Sequence, residues 1–292
     1  MWGSWWWAAV AAAFSGAVEN LWPLPEFVQC QGPTIPVCKG LTFTINASAS
    51  PVQRAFLQRA WHRTLPLLAL TNCMHDVSAK AGTPSHSKVL AGIVVVVPHS
   101  SATVLLPSLN TPCRHSIHTH TLRSSGSMPL GAQQQQQQLT ITADSVFGVL
   151  HALETLTQLV SPSGHLCGLV QLRDFPVLRW RGLLLDVGRR FVPPMLLRQI
   201  VDALAATKMN VLHFHFGDFG AVRVESRRFP SLTRGLRDDN GQPLFYSRAD
   251  IAALVTYAAD RGGAYPLTPP PAPRLAHTHT QCDYDCYLPK MI

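Results

Sequence analysis

The residues best suited to chemistry stand together in NVLHFHFGDFG, which covers residues 210–220. His213 and His215 are two positions apart, so on a β-strand their side chains share one face. Asp218 follows Gly217, where the apolar run ends. The histidine pair has a possible metal-ligand spacing, but histidines on such a strand are more often hydrogen-bonded core residues. We therefore expect no metal ion at this position.

Two further groups of residues raise metal binding as an alternative function. One lies in the carboxyl-terminal tail and the other in the amino-terminal half: His277, His279, Cys282 and Cys286, and His115, His118 and His120. The Cys-x-x-x-Cys spacing is loose, and a low-complexity tail can produce it by chance. We expect neither a metal nor any other cofactor.

The strands that must position Asp218 follow Leu178. GLLLDV, residues 182–187, is a short continuous apolar run that predicts a strand buried on both faces. Residues 210–216 predict a second strand, which ends in the polar group described above.

Two helices are predicted to alternate with these strands. Pro193 and Pro194 suit the first turn of a helix that continues through 195–209 with apolar residues three and four apart. Ser247 and Asp250 resemble a capping box that opens another helix. Two strand–helix units in tandem predict a parallel sheet, with functional groups at the carboxyl ends of its strands.

The first half of the chain, from about 21 to 160, has a different pattern. Residues 92–98 predict a buried strand, and helical spacing precedes them within 51–70. A strand and an apolar-faced helix close the segment in 139–160. Strands with helices at their sides predict a small α+β domain.

Two segments interrupt these patterns. Gln133–Gln138 is a glutamine tract that we place in a surface loop. After Gly263 a third strand is due, but 264–292 carries prolines at positions 266, 269, 270, 271 and 273. Each proline lacks a ladder donor, so we expect an irregular tail and only two strand–helix units.

Composition excludes two classes of protein. The 292 residues are 47% hydrophobic and 14% charged, which is enough apolar content to exclude a wholly disordered chain. The net charge is +8, but the basic residues are scattered and form no run with interleaved aromatics. A nucleic-acid partner is therefore not expected.

Several features favour the secretory pathway, with a lysosomal, vacuolar or extracellular destination. Residues 1–17 form an apolar stretch that ends in small residues, which predicts a signal peptide, with a membrane anchor as the alternative. No other run is long enough to span a membrane. Seven cysteines fit an oxidising compartment, with their connectivity open. Asn46 begins the sequon Asn-Ala-Ser and is a predicted glycosylation site.

Longer stretches of the sequence carry a family resemblance. LRDFPVLRWRGLLLDVGRRFVPP and KMNVLHFHFGDFGAVRVESRRFPSLT resemble the opening of the catalytic domain of family 20 glycoside hydrolases, the β-N-acetylhexosaminidases. LWPLPEF and LTITADSVFGVLHALETLTQLV are similar to the start and end of the preceding domain. The resemblance implies an α+β amino-terminal domain at 21–160, an incomplete (β/α)8 TIM barrel at 178–263 and the tail at 264–292. It also implies N-acetylhexosamine-terminated glycans as ligands and a possible dimer.

The resemblance assigns roles to two residues. The family pattern D-x-S-R-H matches residues 186–190, and Arg189 stands where an arginine grips hydroxyls of the terminal sugar. A rim arginine paired with a carboxylate is the alternative. The pattern H-W-H-x-x-D-D matches 213–219, and Asp218 stands where an aspartate orients an active-site histidine. We expect Arg189 and Asp218 to lie at the carboxyl ends of adjacent parallel strands.

The sequence departs from the family at the catalytic groups. Family members use the substrate's own acetamido oxygen, an Asp that orients it and a Glu that protonates the leaving oxygen. No Asp-Glu pair matches here, because Asp283 and Asp285 are the only late carboxylates and no Glu adjoins them. We therefore assign no catalytic residue. Two hypotheses remain: an incomplete chain of a hexosaminidase, or a secreted, non-catalytic carbohydrate-binding pseudoenzyme or subunit.

Overall fold

The computed structural model describes residues 21–68, 70, 89–100, 113–121, 136–218, 221–263 and 267–268. These residues fall into two compact units, divided between Val177 and Leu178. In the described part of the chain, no helix has the length and apolar character needed to cross a membrane. The signal-like segment 1–17 and most of the tail lie outside the described residues.

The amino-terminal unit contains five strands joined edge to edge. They are β1 (Phe27–Ile45), β2 (Val89–Val96), β3 (His115–Thr121), β4 (Gln136–Ala143) and β5 (His165–Asp174). Their order is β1-β2-β4-β3-β5. Because β1 pairs with β5 along its first half and with β2 along its second, the ring of strands closes.

Two glycines allow β1 to serve both neighbours. The register shifts between Gln31 and Thr34 and again between Val37 and Thr42. Gly32 has a φ of 77° and Gly40 a φ of 88°, values that only glycine adopts without steric cost. These two positions lie within the irregular stretches and let the long strand bend from one partner to the other.

Two helices pack on this sheet. Helix α1 (Pro51–Thr64) begins with a capping box of Ser50 and Gln53 and continues into a short 3₁₀ turn, Leu65–Leu67. Helix α2 (Val146–Leu159) is capped by Ser145. Phe56 and Phe147 join the helices edge to face, with ring centroids 5.6 Å apart. The predicted strands and helices are therefore present and share one buried core.

The glutamine tract was placed wrongly by the sequence pattern. Gln136–Gln138 are not in a surface loop but begin β4, which is paired with β2 on one side and β3 on the other. Gln137 is only 4% exposed. A low-complexity composition does not prevent strand formation where strands on both sides pair with the backbone. Residues 133–135 lie outside the described residues.

The second unit has a parallel sheet with helices packed against it. Its elements are β6 (Gly182–Asp186), α3 (Pro194–Ala206), β7 (Val211–His215), β8 (Gly217–Asp218), β9 (Ala221–Val222), a 3₁₀ turn (Pro230–Thr233), α4 (Arg248–Ala259) and β10 (Leu267–Thr268). Strands β6 and β7 pair in parallel, as predicted. The helix starts are also as predicted, since Pro194 opens α3 and the Ser247–Asp250 capping box opens α4.

Two expectations about this sheet were wrong. A third parallel strand does exist, because Leu267 and Thr268 pair with Phe214 and His215 of β7. These two residues stand between Pro266 and Pro269 and keep the N–H groups that the prolines lack. Strand β6 is also not buried on both faces. Among the described strands it pairs only with β7, and Leu184 is 57% exposed.

The two halves of the amino-terminal unit are linked covalently. Cys30 on β1 and Cys167 on β5 form a disulfide across 137 residues of sequence, with Cα atoms 5.8 Å apart. A bridge between adjacent strands that closes so long a loop removes much of the freedom of the unfolded chain. The disulfide therefore stabilises the closure of the ring at the β1–β5 pairing.

The Cys30→Ser/Cys167→Ser double variant should lower the free energy of unfolding of this unit by about 2–4 kcal/mol. Urea unfolding of both proteins, followed by circular dichroism, measures the difference. Cys113→Ser is the matched control, because Cys113 is half-buried in the same unit but is not part of this bridge. An equal loss in the control would show that thiol replacement, not the bridge, causes the change.

Candidate functional site

The predicted site lies where β6 and β7 end. Asp186 and His215 are the last residues of these strands and are partners in the register. Arg189 follows Asp186 by three positions, and Asp218 follows His215 by three positions. Because the strands are parallel and end level, both segments leave the same edge of the sheet. The backbone thus places each of the two predicted site residues three positions beyond the end of one of two paired strands.

The segment after β6 turns sharply at the sheet edge. The backbone amides of Val187 and Gly188 both donate to the carbonyl oxygen of His215, at 2.9 and 3.2 Å. The Oδ1 atom of Asp186 accepts a hydrogen bond of 3.1 Å from the backbone amide of Arg189. Hydrogen bonds to the His215 carbonyl oxygen of β7 and to the Asp186 side chain therefore fix the turn. The Arg189 side chain is exposed.

The segment after β7 forms a short antiparallel pair. Gly217 and Asp218 in β8 pair with Val222 and Ala221 in β9. The amide of Arg223 then donates to the carbonyl oxygen of Phe216 at 2.9 Å. Asp218 is held by its backbone close to the end of β7. Phe219, which replaces the second aspartate of the family pattern, lies outside the described residues.

The histidine pair lies along the same strand. His213 and His215 are half-buried, and their ring centroids are 6.5 Å apart. Phe214 between them is fully buried in the core of this unit. The alternation matches the expectation that both histidines share a face. The ring nitrogens of both histidines can donate or accept hydrogen bonds close to the end of β7.

The other metal candidates lie only partly within the described residues. Within the ranges that the structure describes, no three His, Cys, Asp or Glu side chains are close enough to hold a metal ion. His115 is 2% exposed and points at Asp174, with its Nε2 atom 3.8 Å from Oδ2. The tail group at 277–286 lies outside the described residues.

Tyr246 is a buried residue, bonded to the segment that follows β6, whose role sequence reasoning missed. Its hydroxyl donates to the carbonyl oxygen of Val192 at 2.7 Å and accepts from the Val192 amide at 3.3 Å. Its ring packs on Phe191 and Phe214, with centroids 5.0 and 5.3 Å away. Burial raises the pKa of Tyr246 to about 12, although the Val192 bond and the charge of Arg223 act in the opposite direction. The hydroxyl therefore stays protonated at ordinary pH.

A sequence signal for Tyr246 did exist. It stands directly before the N-cap Ser247, with Ile251 at the fourth helical position, and all three belong to the start of α4. An apolar pair at these positions is a hydrophobic staple, which fixes the direction in which the chain enters a helix. Tyr246 and Ile251 are both buried in the core of the unit.

A shallow pocket between α3 and α4 is distinct from the predicted site. Its lining is mostly apolar and consists of Pro194, Leu197, Arg198, Tyr246, Asp250, Ile251 and Leu254. The two residues of the predicted site, Arg189 and Asp218, therefore do not line this pocket.

The predicted glycosylation residue has an ordered side chain. The Nδ2 atom of Asn46 donates to the carbonyl oxygen of Val97 at 3.1 Å and to the Ser48 hydroxyl. Its Oδ1 atom accepts from the Val97 amide at 3.2 Å. A glycan on Nδ2 would leave that nitrogen one N–H, so one of its two donated bonds would be lost, whereas the Oδ1 atom could still accept from Val97. Glycosylation of Asn46 stays a prediction.

Both units of the chain match the sequences of known protein families. Residues 178–263 match the profile of the catalytic domain of glycosyl hydrolase family 20, and residues 21–159 match the profile described as beta-acetyl hexosaminidase like. The beta-hexosaminidase subunit alpha of Bos taurus is 29% identical over 261 residues, which cover 87% of this chain and 45% of the relative. A beta-hexosaminidase of Emericella nidulans is 36% identical over 141 residues, covering 47% of this chain and 23% of the relative.

Solved structures agree with the sequence matches. The chitobiase of Flavobacterium johnsoniae superposes with a TM-score of 0.60 at 26% identity, over 84% of this chain and 34% of that chain. The N-acetyl-beta-hexosaminidase of Streptomyces plicatus has a TM-score of 0.57 at 21% identity, over 87% of this chain and 46% of that chain, and supports the fold alone. These neighbours imply an amino-terminal domain followed by a TIM-barrel-like catalytic domain, of which the described residues of this chain form a partial parallel sheet.

These matches identify the chain as a β-N-acetylhexosaminidase-like protein of glycoside hydrolase family 20. The chain spans less than half the length of the relatives cited above. The matched regions include both segments that carry the predicted site, since residues 186–190 and 213–218 lie within 178–263.

Replacing Tyr246 with Phe should reduce the loss of unfolding free energy that occurs as the pH rises above 10. In the wild type the unfolded tyrosine ionises near pH 10, whereas the folded one resists until about pH 12. The stability that this shift contributes is complete below pH 10 and is lost as the pH rises towards 12. Urea unfolding between pH 8 and 11.5 measures the slope, and absorbance at 295 nm follows tyrosinate formation. An unchanged alkaline slope in Tyr246→Phe would contradict the assignment.

Proposed function

We propose that the chain binds the terminal N-acetylhexosamine of glycans at the carboxyl ends of β6 and β7. The observation that carries this proposal is the level register of Asp186 and His215, which directs the segments of Arg189 and Asp218 from one edge of the sheet. The relatives named above are hexosaminidases, and the matched region contains both segments. Functional groups of this fold class gather at the carboxyl ends of the strands.

Arg189 is the residue that we propose contacts the sugar hydroxyls. A guanidinium has five N–H donors in a fixed plane and no acceptor, which suits adjacent hydroxyl groups. The exposed Arg189 side chain begins from a backbone that Asp186 holds in place. Asp218 is the acidic residue of the same site, and we propose that it keeps a neighbouring polar group in the orientation that the sugar requires.

We further propose that these 292 residues bind the sugar without cleaving it. Substrate-assisted, retaining hydrolysis of terminal β-linked N-acetylhexosamines needs a proton donor for the leaving oxygen, which is worth roughly a hundred- to ten-thousand-fold in rate. The sequence contains no match to the Asp-Glu pair of the family, and its last carboxylates are Asp283 and Asp285. Two accounts fit these residues: part of a β-N-acetylhexosaminidase whose catalytic pair lies outside these 292 residues or, as the alternative, a secreted carbohydrate-binding pseudoenzyme or subunit.

The setting that we propose is the secretory pathway. The disulfide between Cys30 and Cys167 supports an oxidising compartment, because such bridges are rare where thiols are kept reduced. The signal-like segment 1–17 points the same way. A lysosomal, vacuolar or extracellular location and a dimeric state, which the family resemblance suggests, are parts of the proposal.

Arg189→Ala should weaken binding of methyl N-acetyl-β-glucosaminide at least about tenfold, because hydrogen bonds to a charged donor are stronger than neutral ones. Isothermal titration calorimetry or ligand-observed NMR on the purified chain measures the affinity. The matched control is Arg190→Ala, which removes an adjacent exposed arginine of equal charge. Equal weakening in both variants would mean that general charge, and not Arg189, holds the ligand.

The purified chain should show no enzyme-like turnover of an aryl N-acetyl-β-glucosaminide. The physical reason is the missing acid, since a positioned sugar alone does not protonate the leaving oxygen. Release of the aryl group, followed by absorbance, is the measurement. Robust turnover that Arg189→Ala abolishes would overturn this part of the proposal and reveal a carboxylate that acts as the acid.

A further inference from the structure

The side chain of Arg223 connects the two segments of the proposed site. Arg223 comes directly after β9, the partner strand of Asp218. Its Nε atom donates to the carbonyl oxygen of Gly188 at 3.2 Å, and its Nη1 atom donates to that of Leu244 at 2.8 Å. Gly188 directly precedes Arg189 in the chain. One guanidinium thus ties the turn after β6 to the segment that follows β7.

Tyr246 holds the other end of the same turn. Its hydroxyl bonds to both the amide and the carbonyl oxygen of Val192, while its own amide donates to the carbonyl oxygen of Arg223 at 2.7 Å. The ring also packs against Phe191. The stretch 187–192, called here the Arg189 loop, is therefore held at Gly188 by Arg223 and at Val192 by Tyr246.

These contacts leave Arg189 exposed at the middle of an anchored loop. A long side chain loses rotamer freedom when it binds a ligand, and a mobile backbone would add to that cost. Fixing the backbone on both sides of Arg189 removes the cost of ordering a mobile backbone. Arg223 makes two bonds in different directions, which the single ammonium group of lysine cannot reproduce with the same geometry.

We propose that Arg223 and Tyr246 are positioning residues that hold the Arg189 loop in register with the strand pair β8–β9. The inference rests on the proposed function for the identity of the ligand, but the anchoring itself does not require a ligand. Neither residue touches the sugar. They act through Arg189, whose backbone they fix relative to the end of β7.

The variants Arg223→Lys and Tyr246→Phe test this inference with little loss of side-chain volume. The chain offers a chemically matched pair of controls in Tyr257→Phe and Arg261→Lys. The Tyr257 hydroxyl donates to Asp202 of α3 at 2.8 Å, and Arg261 forms an ion pair with the same carboxylate. These control bonds connect α4 and the turn directly after it to α3, and among the described hydrogen bonds and ion pairs neither residue bonds to the Arg189 loop.

The first readout is hydrogen exchange of the backbone amides from Gly188 to Val192, measured by mass spectrometry on the full chain. Both test variants should exchange about five- to tenfold faster in this loop, as expected for the loss of one or two hydrogen bonds. The controls should leave the loop unchanged. Urea unfolding of each variant separates local loosening from a general loss of stability.

The second readout is the affinity for methyl N-acetyl-β-glucosaminide. Arg223→Lys and Tyr246→Phe should each weaken binding about three- to tenfold, whereas the controls should not. Arg223→Lys combined with Arg189→Ala should bind no more weakly than Arg189→Ala alone, because residues that act through one another are not additive. A merely stabilising role would give additive losses that follow the loss of folded protein.

The two readouts separate failure of the inference from failure of the proposed function. If the wild type binds no sugar, the proposed function fails, and hydrogen exchange alone decides whether the loop is anchored. If the sugar binds but neither test variant differs from the controls, the positioning inference is wrong. Faster exchange together with weaker, non-additive binding supports it.

Discussion

The carbonyl oxygen of His215 is the acceptor on which the proposed site depends. As the last residue of β7, His215 pairs with Asp186 and accepts hydrogen bonds from the amides of both Val187 and Gly188. This arrangement ends β6 level with β7 and turns the chain at once towards Arg189. A shift of one residue between the strands would move every side chain to the opposite face and separate the two segments.

The rest of the second unit keeps that strand pair in place. Phe214, which separates the two histidines in the sequence, is fully buried and contacts Tyr246. Tyr246 in turn directly precedes the N-cap of α4. Burial keeps the Tyr246 hydroxyl protonated, so it can both donate to and accept from Val192. A core residue thereby also anchors a loop at the rim of the sheet. Packing and site geometry are produced by the same side chains.

The amino-terminal unit solves a different problem, which is how to close a small ring of strands. A single long strand, β1, pairs with β5 and then with β2, and its glycines at 32 and 40 permit the change of direction. The disulfide from Cys30 to Cys167 joins β1 to β5. Helices α1 and α2 then bury the sheet through one continuous core. The unit has its own core, independent of the parallel sheet.

Much of this molecule follows from local sequence. Neighbouring residues determine the polar group at the end of β7, the capping boxes and the helix starts at Pro194 and Ser247. Apolar runs likewise predicted β2, β6, β7 and the second half of β4, whereas β3 and β5 were not predicted. The burial of Gln137, the third strand at Leu267–Thr268 and the exposure of Leu184 depend on which strands lie alongside, which composition does not encode. Only the tertiary structure could place Arg223 against Gly188, 35 residues away, and Tyr246 against Val192, 54 residues away. The reason is that hydrogen bonds between distant segments exist only after the sheet has assembled.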